Sequence, residues 1–382
     1  MQAGHHREAG APEAERFVLV TTMRNEAPFI LEWLVYHRLI GFTDILVFTN
    51  DCEDGTDLML DRLAAMGLLT HLPNARRGKK TVQWQALSRA SHQGVVKKAD
   101  WLMVADVDEF LVVKAGDGHL ADLLAAVPEP RGFQIPWRMF GASGRVAFDP
   151  DLVMAQFTRA APEALVWPWR AVQFKSLFRN GPHVLGLGVH QPKLDPAARG
   201  AWYDANGRPR GPVPGTVTLE TTPRYGLAQL NHYALGSAEN FLVKAERGRP
   251  NRTAEPIGLD YWIDRNFDTV EDDAILRHLP AVRQGVAALL EDPALRALSE
   301  AAIAWRRERI EALKLTSDGF YLLARIQQLG GTEVVAMDRQ LTLVRELMRM
   351  RQAVSTVLRP EDDLRQPKPG ATDAARSRKA AV

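Results

Sequence analysis

The sequence predicts an α/β protein, with a parallel sheet in its N-terminal half and helices towards its C-terminal end. Three observations carry this expectation. Strand-like and helix-like patterns alternate from Phe17 to Leu111, the signature of strands joined by helical crossovers. Polar loops follow the strand-like runs at Arg24-Asn25-Glu26, at residues 50–57 and at Asp106-Val107-Asp108, and in such a sheet they gather along one edge. From Glu255 onward, strand patterns give way to long amphipathic stretches.

Composition bounds what the chain does. With 382 residues it can bury a large core, and 46% hydrophobic with 25% charged residues is ordinary for a globular protein. A formal charge of +2 gives no argument for a nucleic-acid partner. Cys52 is the single cysteine, which excludes an internal disulfide framework and a cysteine-only zinc site and fits a reducing compartment. No apolar run reaches membrane-spanning length and residues 1–16 lack a signal-peptide core. The expectation is a cytoplasmic protein, with peripheral membrane contact left open.

Residues 1–15 read as a disordered leader. Residues 16–22 form a first strand, and residues 27–39 a helix with Pro28 in its first turn, ended by Gly41. A second strand spans 44–49, a helix 58–66 is stopped by Gly67, a third strand spans 68–72, and a helix covers 82–96. The run Ala99–Ala105 is a buried strand. Further on, 120–127 is a short helix, while 132–140, 153–158, 174–178 and 185–190 are strand candidates. Residues 191–223, dense in Pro, Gly and Arg, read as a long loop across the site. Residues 225–233 are extended and 237–246 helical, followed by a basic turn at 247–252. Residues 255–358 form a helical region, with clear patterns at 295–313 and 332–358, packing on the catalytic part or on a partner subunit. Residues 359–382 read as a polar tail.

The chemistry centres on Asp106 and Asp108. In an extended chain, residues i and i+2 point the same way, so both carboxylates would leave the strand end on one face. Two such carboxylates repel, and a hard divalent cation is the usual remedy. Glu109 beside them is read as orienting its neighbours. There is no G-x-G-x-x-G and no phosphate-binding P-loop, so phosphate neutralisation falls to the metal.

The segments Thr22-Met23-Arg24-Asn25-Glu26, Asn50-Asp51-Cys52-Glu53-Asp54-Gly55-Thr56 and Asp106-Val107-Asp108-Glu109-Phe110 resemble a glycosyltransferase of family 2 type. More narrowly they resemble the bacterial branch related to family 92. Asn231-His232-Tyr233 and residues 237–248 are similar to a downstream element of that branch, so the resemblance spans about residues 17–250. It implies a GT-A-like mixed sheet with a Rossmann-like N-terminal half over residues 16–254. It also implies a nucleotide-sugar donor, UDP-linked by preference, and Mn²⁺ or Mg²⁺ held by Asp106 and Asp108. An inverting transfer to a glycan or other hydroxyl acceptor, in polysaccharide or glycoconjugate synthesis, follows from the same resemblance. His232 is then the third metal ligand, with His190 as competitor. Asp51 and Asp54 would hold the nucleobase and ribose, against a turn and capping role for both. Arg24, Asn25 and Glu26 would line the same pocket, with helix capping as the competing role of Asn25. Lys80 and Gln83 precede the central strand, and Lys80 either meets phosphate or is solvated. Lys175 and Arg179 would share one strand face and also meet phosphate.

An inverting transfer needs a carboxylate base near the acceptor hydroxyl. Glu239 is the candidate, ahead of Glu246, Asp149 and Asp151. Trp137, Trp167 and Trp169 read as core. Two other functions compete. A sugar nucleotidyltransferase would need a glycine-rich basic loop after the first strand, which residues 21–25 do not offer. A non-catalytic nucleotide- or glycan-binding protein would not need the intact aspartate pair. The C-terminal helices leave a homo-oligomer open.

Overall fold

In the computed structural model, residues 15–78, 80–198, 200–211, 217, 219–248 and 257–357 are described, the last six without their side chains. A mixed ten-stranded sheet forms the centre. Its first half is parallel: β1 (Phe17–Met23) lies between β2 (Asp44–Thr49) and β4 (Trp101–Val104), with β3 (Thr70–Pro73) beyond β2. The connections carry α1 (Ile30–Leu39), α2 (Thr56–Ala65) and α3 (Val82–Ala90). Alternation along β1 decides which helix packs where. Phe17 and Leu19 face the core shared with α1 and α2, while Val18 and Val20 face that of α3.

The second half turns antiparallel. Here β7 (Phe174–Arg179) runs against β4 on one side and β6 (Pro130–Met139) on the other. The start of β6 pairs with β8 (Ala201–Asp204), which pairs with β9 (Pro209–Arg210). The end of β6 pairs with β10 (Ala228–His232), and β10 runs antiparallel to β5 (Glu109–Val113). This is the GT-A-like mixed sheet with a Rossmann-like first half.

Several local expectations change. The stretch 153–158 is not a strand: Val153–Gln156 is a helical turn, because both Glu32 carboxylate oxygens accept the Val153 and Met154 N–H groups. The helix expected over 82–96 ends at Ala90 and a separate turn spans Gly94–Lys97. The loop expected over 191–223 contains β8 and β9, which extend the main sheet at its edge. Glu15, assigned to the leader, is held by Arg179 and the Trp101 indole N–H. The rest of the leader, the tail and most of the basic turn lie outside the described residues.

The C-terminal helices pack on the sheet's own helices, on one another and on the segment 166–172. They are α4 (Ala238–Arg247), α5 (Leu279–Leu289), α6 (Pro293–Lys314), α7 (Ser317–Leu329) and α8 (Met337–Val357). Helix α5 lies on α1, and α6 lies on α2 and α4. Val282, Leu295 and Ala302 join the same core as β1 and α1. Among the described residues, no helix is long and apolar enough to cross a membrane.

Candidate active site

The site forms where β4 ends. The strand stops at Val104, and residues 107–108 are a turn before β5 begins at Glu109. The i, i+2 rule for extended chain therefore does not govern Asp106 and Asp108. Their carboxylates take different partners. Asp106 accepts from Gln83 Nε2 at 3.2 Å and from Lys175 Nζ at 3.0 Å. Asp108 accepts from Lys244 Nζ at 2.6 Å, and His232 Nε2 lies 3.8 Å from the same carboxylate oxygen.

Strand register brings His232 there. In the β5–β10 pair it stands opposite Glu109, and the Tyr233 N–H donates to the Asp108 carbonyl at 2.8 Å. Trp137 packs on its ring with centroids 4.3 Å apart. Burial pushes His232 down to about 3, so its imidazole is neutral, the form that ligates metals. Its Nδ1 is buried without a hydrogen-bond partner. Burial works against the charge on Asp108, but Lys244 and then His232 hold its carboxyl well below the usual carboxylate range.

Beneath Asp106 lies a buried ionic triad. Lys175 Nζ is 3.0 Å from both Asp106 and Glu109, and the side chains of Lys175 and Glu109 are fully buried. Glu109 also accepts from the Asp106 N–H and the Trp137 indole N–H, each at 2.8 Å. Burial pushes Glu109 up, and Lys175 offsets part of that. Lys175 is thus the internal counter-ion of the acidic turn and does not face an open phosphate site. Arg179 points instead to Glu15 and the Trp101 ring. His190 donates through Nδ1 to the Phe174 carbonyl at 2.9 Å and packs on Trp137 with ring centroids 5.4 Å apart.

The loops after β1 and β2 are pinned together. Asn25, at φ 54°, accepts the Glu53 N–H through Oδ1. Asp54 is buried and accepts from the Ala27 N–H, the Thr56 N–H and the Thr56 hydroxyl. Its oxygens are engaged in closing the loop onto Ala27 and Thr56. Asp51 is exposed, and its carbonyl accepts from Arg24 Nε at 3.1 Å. Lys80 is exposed on the approach to α3. Glu26 is ion-paired with Arg247 of α4.

On the other side of Asp108 opens a cleft of about 720 Å³, walled by Phe29, Phe110, Phe148, Phe157 and Tyr233 and reached by Lys244, Arg247 and Arg306. Glu239 does not line it: its carboxylate accepts from the Phe148 N–H and from Lys314. Of the carboxylates that do, Glu26 pairs with Arg247 and Asp108 with Lys244, whereas Asp149 has Arg145 at 3.7 Å and accepts the Asp151 N–H at 3.0 Å. Arg306, on α6, was missed in the sequence. It sits on the buried stripe Ala302, Arg306, Ile310, a spacing that marks one helix face but gives no hint of a pocket shared with Asn25, 281 positions away in sequence.

Magnesium or manganese finds a fitting but incomplete set of protein ligands. Asp108 and neutral His232 converge, and such ions are commonly held by one or two carboxylates plus substrate phosphates and water. Among the described residues, no three His, Cys, Asp or Glu side chains gather as a ligand set.

The chain thus carries a mixed sheet with a parallel first half and an acidic turn at its rim. The model of the family described as Glycosyltransferase family 92 matches residues 18–195, and over that span the resemblance read from the sequence holds. A glycosyltransferase family 92 protein of Oryza sativa subsp. japonica is 26% identical over 158 residues, which are 40% of this chain and 26% of that protein. The chain thus matches about a quarter of that relative's length. Among solved structures, S. aureus TarS 1–349 is 13% identical with a TM-score of 0.26, covering 43% of this chain and 47% of that one. The glucosyl-3-phosphoglycerate synthase of Mycobacterium tuberculosis, in complex with Mn²⁺ and UDP, is 16% identical with a TM-score of 0.21, covering 32% and 44%.

Proposed function

We propose that this chain transfers a sugar from a nucleotide-sugar donor, UDP-linked by preference, to an acceptor hydroxyl, with inversion at the anomeric carbon. The observation that supports this most is the convergence of Asp108 and neutral His232 at the sheet rim. These two residues would hold Mn²⁺ or Mg²⁺, with diphosphate oxygens and water as the remaining ligands. A bound dication supplies positive charge to the departing diphosphate.

The protein's own groups do the rest. Gln83 and Lys175 fix the Asp106 carboxylate on the donor side, next to the loops bearing Arg24, Asp51 and Lys80. Lys244 adds a buried positive charge beside Asp108. The aromatic cleft receives the acceptor, where aromatic faces suit the apolar faces of a sugar ring. Asp149, exposed and without a close ion pair, takes the proton of the attacking hydroxyl. This assignment replaces Glu239, whose carboxylate is already engaged. A cytoplasmic location and a role in polysaccharide or glycoconjugate synthesis belong to the same reading.

Calorimetric titration of UDP with and without Mn²⁺, followed by a donor-hydrolysis panel, tests it. UDP should bind tightly only with metal. UDP binding that ignores metal, or a requirement for UTP plus a sugar phosphate, would overturn the proposal. Asp149→Asn should lower kcat by about 10²- to 10⁴-fold with UDP affinity intact, the size expected for removing a general base.

A further inference from the structure

Among the described residues lining the pocket, Arg306 is the cation with no carboxylate within ion-pair distance, Glu26 and Asp54 acting on its charge only from further off. It is 3% exposed, on a helix whose next residues, Arg307 and Glu308, are exposed. Its Nη1 donates to the Asn240 side-chain oxygen at 3.0 Å and its Nη2 to the Asn25 carbonyl at 2.6 Å, both neutral acceptors. Its Nε is buried with no partner, and the Phe29 ring lies 5.2 Å from the guanidinium carbon. The other two cations of the cleft are neutralised within the chain, Lys244 by Asp108 and Arg247 by Glu26.

A buried guanidinium with no carboxylate in direct contact is costly, and a leucine would satisfy this position of the α6 stripe. Tying α6 to the Asn25 loop explains two of the donors but not the charge, nor the unpartnered Nε. A guanidinium fork with a free edge matches a carboxylate or phosphate oxygen pair. It lies in a cleft walled in part by aromatic rings, with Glu26, Asp108 and Asp149 as its carboxylates.

We propose that the cleft beside Asp108 binds an acceptor sugar carrying an oxyanion, a carboxylate or a phosphate ester, and that Arg306 supplies its counter-charge. The inference rests on the glycosyl-transfer reading and names the acceptor class. It places acceptor selection on a helix beyond residues 18–195, the span shared with the family. Family relationship over the sheet therefore need not fix the acceptor.

The test uses the full chain without donor or metal, by calorimetry with D-glucuronate, glucose 6-phosphate and glucose. At least one anionic sugar should bind tenfold or more tightly than glucose, weakening as salt rises. Arg306→Gln should reduce that preference to near unity, while Arg306→Lys keeps part of it. Asn240→Asp, nearly isosteric, places a carboxylate against Nη1 and should also abolish the preference without unfolding the helix. The inference is overturned if glucose binds as well as either anion, or if folded Asn240→Asp retains full preference. It is also overturned if saturating UDP with Mn²⁺ displaces the anionic sugar, since the charge then serves the donor diphosphate. Metal-independent UDP binding would sink the glycosyl-transfer reading and leave the anion measurement standing.

Discussion

At Asp108 and Lys175, single side chains divide the labour of one acidic turn. Asp108 faces the cleft and His232, whereas Lys175 lies wholly inside and neutralises Asp106 and Glu109. Asp108→Asn should therefore weaken metal-dependent UDP binding by tenfold or more and, by unpairing Lys244, also cost stability, read by calorimetry and denaturant titration. Lys175→Met acts on stability first. Removing one partner of a buried ionic cluster leaves uncompensated charge and costs about 3–5 kcal/mol. Denaturant unfolding at neutral pH checks this, and the double change with Glu109→Gln should recover part of the loss. Unchanged stability in Lys175→Met would refute the internal counter-ion role.

Helix α4 and helix α1 show how whole elements hold the site. Helix α4 carries Lys244 and Arg247 into the cleft, and Ser237 caps it by accepting the Asn240 N–H at 3.2 Å. Ser237→Ala should cost about 1 kcal/mol of stability, the usual value of an N-cap. Helix α1 buries His37, whose Nδ1 bonds the Trp33 carbonyl at 2.9 Å. Burial pushes His37 down to about 3, so the unfolded chain binds this proton first. With the unfolded value at 6.5, its contribution is present above that pH and is lost as pH falls from there towards 3. Stability measured against pH should decline across that window, and His37→Gln should flatten the slope. An unaltered slope would show that the decline comes from elsewhere.

Over the whole molecule, the C-terminal helices are part of the sheet's core and of its cleft. Val282, Leu295 and Ala302 pack with β1 and α1, and Arg306 bonds the loop after β1. A chain ending after Ile263 should lose near-ultraviolet circular dichroism and gain dye-binding apolar surface. A truncated protein that melts as the full chain does would contradict this.

How much was legible in the sequence depends on contact range. The strand–helix alternation of the first half was readable because each element's pattern is local: β-rich runs, Gly41 and Gly67 as stops, helical spacing between. The acidic turn was readable for the same reason, and so was its link with His232 through the family-like segment 231–233. What local patterns could not give were partners set by distant chain. Glu32 makes a helical turn of 153–156, although the residues there alternate like a strand. Glu239 reads as a free carboxylate until Lys314 and the Phe148 N–H are brought to it.

The sequence alone determined the order of elements in the first half, its parallel pairing and the place of the acidic residues at its edge, since periodicity and turn chemistry act between near neighbours. Tertiary structure decided which carboxylates stay available, which cations are neutralised within the chain and that Arg306 reaches the cleft. Those outcomes depend on burial and on pairing between residues far apart in sequence, and no local pattern encodes either.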